Sequence, residues 1–190
     1  MLRKLTRVLL GACLVTTAPV TLRAQDGEAA AMAVLAAPAA ERATATVVSH
    51  GEDGVVTLRE GTGSFVCLAD DPTDGAFHVV CYHRSLEPYM ARGRALRAEG
   101  HNTRESIAAR WEEIDAGVLE FPDEPTTLFS LSAEDVSAVE PGEPSTMQRL
   151  NVVYIPYATA ESTGLPTSPE AGLPWIMFPG KATAHVMIHN

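Results

Sequence analysis

Four groups of side chains have types and spacing suited to chemistry. Cys67 and Cys81 stand 14 positions apart, with His83 two residues beyond the second. Bridged, they would stabilise the fold by about 3 kcal/mol on a chain-entropy estimate. Left reduced, Cys81 and His83 would share a strand face as i and i+2 do, giving a thiolate nucleophile or a metal ligand pair. Asp70 and Asp71, just before Pro72, could hold Ca²⁺ through oxygen ligands or share a proton in acid–base work. Paired with His83 or His185 they would make a hydrolase site. The same two residues are ordinary turn formers, because a short carboxylate satisfies nearby backbone N–H groups, and no Asp-x-Asp-x-Asp-Gly loop surrounds them.

His185, Met187 and His189 alternate along the final segment and would point to one face. Imidazole and thioether together suit copper. The alternative places Met187 in a core and both histidines at a solvated chain end. His78 and His83 could join such a site, but nothing in the sequence brings them near it. Arg84, Arg92, Arg94, Arg97, Arg104 and Arg110 make a basic island in an acidic chain. They could dock an anionic ligand, or pair with Glu87, Glu99, Glu105, Glu112, Glu113 and Asp115 on solvated helix faces. Local catalytic signatures are missing: no Gly-x-Ser-x-Gly, Ser-x-x-Lys, His-Glu-x-x-His, Gly-x-x-x-x-Gly-Lys or Cys-x-x-Cys-His occurs. No cofactor follows from the sequence apart from the copper alternative.

The elements that must position these residues can be read from periodicity. Residues 26–42 are Ala-rich, a lead-in or a short helix running from Asp26 to Pro38. Thr44–Val48 and Val55–Arg59 flank a Gly-Glu-Asp-Gly turn, a first β-hairpin. Ser64–Ala69 and Phe77–His83 flank a Pro/Asp/Gly turn, a second one. With that turn centred near residue 74, Cys67 falls opposite Cys81 and Phe65 opposite His83. Ser85, Pro88 and Gly100 bracket a helix that carries Leu86, Tyr89, Met90 and Leu96. Asn102 and Glu105 open a second with a capping box, and Ile107, Trp111, Ile114 and Val118 form its apolar face. Strands follow at 126–131, 150–155, 175–178 and 184–189, with 133–148 an acidic loop. The fold class is α+β: a mainly antiparallel sheet of two N-terminal hairpins plus C-terminal strands, with a central helical pair, in one domain over 43–190.

Residues 1–25 read as a secretory signal peptide. Arg3, Lys4 and Arg7 precede an uncharged run from Val8 to Leu22, and cleavage is expected near residues 24–25. The run is too short and too rich in Thr and Pro to span a bilayer, which takes about 20 apolar residues. Leu10-Gly11-Ala12-Cys13 spells a lipoprotein pattern, but only Val8, Leu9 and Leu10 lie between Arg7 and Gly11, which argues against lipid anchoring at Cys13. Cleavage removes Cys13 and four of the 14 basic residues, and leaves 10 basic against 24 acidic ones, a net charge of −14. Such a surface disfavours nucleic acid and anionic membranes as partners; a protein or small-molecule partner stays open. An even cysteine pair in an oxidising periplasmic or extracellular compartment reads first as a disulfide.

At Cys67-Leu68-Ala69-Asp70-Asp71-Pro72, Cys81 and Ala184-His185-Val186-Met187-Ile188, the chain resembles a group of uncharacterised exported bacterial proteins. These share a Cys-x-x-Asp-Asp-Pro turn, a second cysteine downstream and a His-x-Met-Ile final strand. The resemblance implies no activity. The expectation is an exported acidic domain acting as a non-catalytic binding or structural module, with copper binding and hydrolysis as the alternatives.

Overall fold

β-Branched and apolar residues at alternate positions, broken by Gly, Pro and Asp, build strands with two distinct faces. The computed structural model describes residues 20–51, 54–73, 75–134 and 147–189. It holds one sheet of eight strands: β1 (Thr46–Gly51), β2 (Gly54–Arg59), β3 (Phe65–Leu68), β4 (Phe77–His83), β5 (Thr126–Ala133), β6 (Gln148–Tyr154), β7 (Trp175–Met177) and β8 (His185–His189). Their order is β2-β1-β3-β4-β5-β6-β8-β7. All neighbours are antiparallel except β1 and β3. The protein is therefore α+β, and both N-terminal hairpins form.

In the second hairpin Cys67 pairs with Cys81 and Phe65 with His83, and the two sulfurs are bonded. The parallel β1–β3 pairing was not expected. It follows from the path: β2 turns back along the outer side of β1, and the chain then crosses the start of β1 to lay β3 on the other side. Gly61 makes that crossing possible, since a Cβ there would fall into the backbone of Thr44–Thr46.

One face of the sheet is covered by α1 (Val20–Ala33) and the 3₁₀ turn that follows it at Val34–Ala36. Ala30, Ala33, Val34, Ala36 and Ala37 pack there against Val47, Phe65, Cys67, Val79, Cys81 and Leu131. The Ala-rich lead-in thus belongs to the core, because small side chains let its backbone lie close to the strands. Arg42 and Arg149 both donate to the carbonyl of Leu35, and to those of Ala37 and Ala36 respectively, which satisfies the end of the turn.

The other face carries α2 (Glu87–Ala98) and α3 (Thr103–Asp115). Leu86, Tyr89 and Leu96 are buried as their spacing predicts. Asn102 and Glu105 close the expected capping box. The apolar face expected of α3 is displaced. Ile107, Trp111 and Ile114 are only half-buried and Val118 is exposed, while Ser106 and Arg110 take the inward positions. An arginine can do so because its guanidinium lies 3.9 Å over the Tyr89 ring and donates to two backbone carbonyls. The signal peptide read over residues 1–25 falls largely outside the described residues, as does most of the acidic loop. Among the described residues no helix is long and apolar enough to cross a membrane.

Candidate functional site

In an antiparallel sheet, directly paired residues share a face. Val66, Tyr82, Leu128, Val152 and Met187 make one row beneath the helix pair, and Thr126, Tyr154 and His185 make the next. The helices are held above these rows by two polar clasps. Tyr82 donates to Glu87 at 2.6 Å, while Arg94 donates to both Tyr82 and Glu87. Burial and the Glu87 hydrogen bond push the Tyr82 phenol well above its ordinary pKa, so it stays a donor. At the far side Trp111 Nε1 donates to Thr183 Oγ1 at 2.6 Å and its ring meets Phe178 edge-on.

Between the clasps lies a cavity of about 560 Å³. Leu68, Val80, Met90, Ile107, Leu128 and Leu150 supply its apolar wall. His50, Asp71, Arg94 and Arg97 line both this cavity and a groove that runs out over the β1–β2 hairpin, so they mark its mouth. Arg110, Tyr89, Tyr154 and His185 line its inner part.

The two arginines of this cavity outside the Tyr82 clasp form no ion pair among the described residues. Arg110 is 8% exposed. Its Nε donates to the Ser106 carbonyl and its Nη1 to that of Tyr89, at 3.1 and 3.2 Å, and Nη2 has no acceptor among the described residues. Arg97 at the mouth makes no ion pair among the described residues, and its pKa is lowered by burial and by the nearby charges of Arg110 and Arg94. The arginines that do find carboxylates are Arg92, with Glu99 and Glu113 on the outer face, and Arg94, with Glu87. Arg84 instead donates to Thr46 and to the Gly63 carbonyl. Gly93 completes the arrangement: a Cβ there would stand 2.8 Å from Arg110 Nη1.

His185 is buried at the inner end, between the rings of Tyr154 and Phe178. Its Nδ1 lies 2.8 Å from the Thr183 carbonyl, which can only accept, so Nδ1 carries the proton. Burial lowers its pKa below the ordinary 6.5, which keeps the ring neutral. Nε2 is then a bare acceptor with no protein partner among the described residues.

The other residues singled out in the sequence are scattered. Asp71 Oδ1 accepts from the N–H and hydroxyl of Thr73, at 3.0 and 2.6 Å, a turn that holds its carboxyl below the usual range. Asp70 Oδ1 accepts from the His78 N–H at 2.7 Å. His83 lies on the α1 side, edge-on to Phe65, and accepts from the Ser85 N–H. It is across the sheet from His185. Three strands separate β3 from β8, about 19 Å at the usual spacing, which puts Asp70 and Asp71 far from His185. These four residues do not converge.

His185, Met187 and His189 do share a face, but positions i and i+4 of a strand lie about 13 Å apart. Two ligands of one ion sit within about 4 Å. The first is buried, the second half-buried and the third exposed. Among the described residues no three His, Cys, Asp or Glu side chains gather as metal ligands. Cys67 and Cys81 are spent in their bridge. The inward role of Arg110 escaped the sequence reading. The signal that pointed to it was Gly93, a glycine in a helix interior between Tyr89 and Arg97 at i−4 and i+4, where Gly costs about 1 kcal/mol against Ala without a packing reason.

Comparison with protein-family models, with curated proteins and with solved structures finds no match for this chain.

Proposed function

We propose that the chain is an exported, non-catalytic binding module whose ligand is an amphipathic organic anion seated between the sheet and the helix pair. The observation that carries this reading is Arg110: a buried cation lining a cavity, with no carboxylate at ion-pair distance among the described residues, in a chain of 24 acidic residues. Burying a charge costs several kcal/mol unless an opposite charge meets it. Carbonyl dipoles and the Tyr89 ring cover part of the guanidinium but bring no counter-charge. A carboxylate entering past Arg97 would supply it, bidentate on the open edge of Arg110. The apolar wall selects against small inorganic anions, whose hydration it cannot replace, and for a carboxylate with a hydrocarbon body.

The net negative charge keeps polyanions away, while Arg97 at the mouth and Arg110 within, neither in an ion pair among the described residues, focus positive potential in the cavity. Export is supported by the charged and apolar pattern of residues 1–25, by the buried disulfide and by the resemblance of the Cys-x-x-Asp-Asp-Pro turn and final strand to exported bacterial proteins.

Titration of the mature chain with decanoate at low ionic strength tests the reading. Micromolar binding is expected, weakened at least tenfold in Arg110→Met. Failure of decanoate and shorter carboxylates to bind wild type would contradict it.

A further inference from the structure

We infer that the inner end of the cavity reads a hydrogen-bond donor on the ligand, so that the fitting class is an amphipathic carboxylate bearing a hydroxyl group and not a plain fatty acid. This rests on the anion-binding reading above and adds the group that sets specificity within it, His185.

The inner end joins strands β6 and β8 to the loop between β7 and β8. His185 stands at a sheet position paired with Tyr154, and the two rings lie 4.9 Å apart. Phe178 closes the opposite side at 5.6 Å. The Thr183 carbonyl fixes the proton on Nδ1, and Thr183, fully buried, is itself pinned by Trp111. What remains is one lone pair at Nε2, 93% of the residue being shielded from solvent. Arg110, the cation at the same end, can only donate. The Tyr154 hydroxyl, which has no hydrogen-bond partner among the described residues, can donate or accept.

A ligand that brings only a carboxylate and a chain satisfies Arg110 but buries the Nε2 lone pair against carbon. An acceptor sealed off without a donor costs about 1–3 kcal/mol, so a bare chain passing this point is disfavoured. A hydroxyl placed there donates to Nε2 and can accept from the Tyr154 hydroxyl, which satisfies both protein groups at once. Sites built around such a buried polar group reject the analogue that lacks its partner.

The experiment compares decanoate, 3-hydroxydecanoate and 10-hydroxydecanoate by calorimetric titration of the mature chain. At least one hydroxy acid is expected to bind about 3- to 10-fold more tightly than decanoate, the range of one added neutral hydrogen bond. His185→Phe should erase that difference, the hydroxy acids then binding no more tightly than decanoate. In wild type, the His185 Nε2 nitrogen resonance should move on adding the preferred hydroxy acid and stay in place with decanoate. That measurement holds even if the variant does not fold. Equal affinity of all three acids, or a hydroxyl preference that survives in His185→Phe, would overturn the assignment to His185 and leave the anion reading standing. Absence of binding by any of the three would sink both.

Discussion

The two faces of the sheet are made by alternate residues of the same strands, yet they are opposites. The face under α1 is dry and closed: Val79, Cys81 and Leu131 have no exposure at all, and alanines fill the gap to the helix. The face under α2 and α3 has the same strands beneath it but carries tyrosines, a histidine and an arginine around open volume. A close-packed interior tolerates few voids larger than a water molecule, so the second face gives up packing the first one keeps. The contrast teaches where packing and open volume are separated in this protein: one side of each strand closes a core, and the other borders the cavity proposed to take a ligand.

Mutations on the two sides should therefore differ in kind. The largest effect is expected at Leu131→Ala, which should cost about 2–5 kcal/mol in urea unfolding and leave decanoate affinity unchanged. Its neighbour across the sheet, Leu128→Ala, borders existing space and should fall at the low end of that range while altering affinity. Equal cost and equal binding for the two would break the contrast. Next comes the double replacement Cys67→Ala with Cys81→Ala, expected to lower stability by about 3 kcal/mol, again without touching binding.

Arg110→Met should do the reverse. Replacing a buried charge by a well-packed apolar chain is often neutral or stabilising, so its melting temperature should hold or rise while binding weakens at least tenfold. A variant that loses several kcal/mol instead would make Arg110 a structural residue. The smallest effect concerns pH. Burial holds His185 below its ordinary 6.5. Between those two values the unfolded chain binds more protons than the folded one, so stability declines as pH falls below about 6.5. His185→Gln should flatten that part of the profile, measured as urea midpoints between about pH 7.5 and pH 5. An unchanged profile would mean that His185 is not the group responsible.

Local features of the fold were legible in the sequence and the cavity was not. Strand periodicity and one Asp/Pro/Gly turn were enough to set Cys67 against Cys81, because hairpin register is a local property. Asn102 and Glu105 announced the start of α3 for the same reason. The cavity depends on contacts far apart in the chain. Arg110 turns inward because Gly93 and Tyr89 of another helix make room and a ring for it, and His185 acquires its tautomer from the loop that Trp111 anchors. Two of the six arginines of the basic island, Arg92 and Arg94, pair with glutamates among the described residues. Counting arginines against glutamates could not tell which two, since that depends on which side of each helix faces the sheet. The histidine spacing in β8 does give one face, but a shared face in a strand does not place residues four apart on one ion.

The central claim is that Arg110 is a cation awaiting an organic anion. The most direct measurement is a calorimetric titration of decanoate into wild type and Arg110→Met, with folding of both checked beforehand by urea unfolding. Wild type is expected to bind, the variant to bind at least tenfold more weakly, and both to keep unimpaired stability. Wild type that binds no carboxylate, or a folded Arg110→Met that binds as well as wild type, would contradict it.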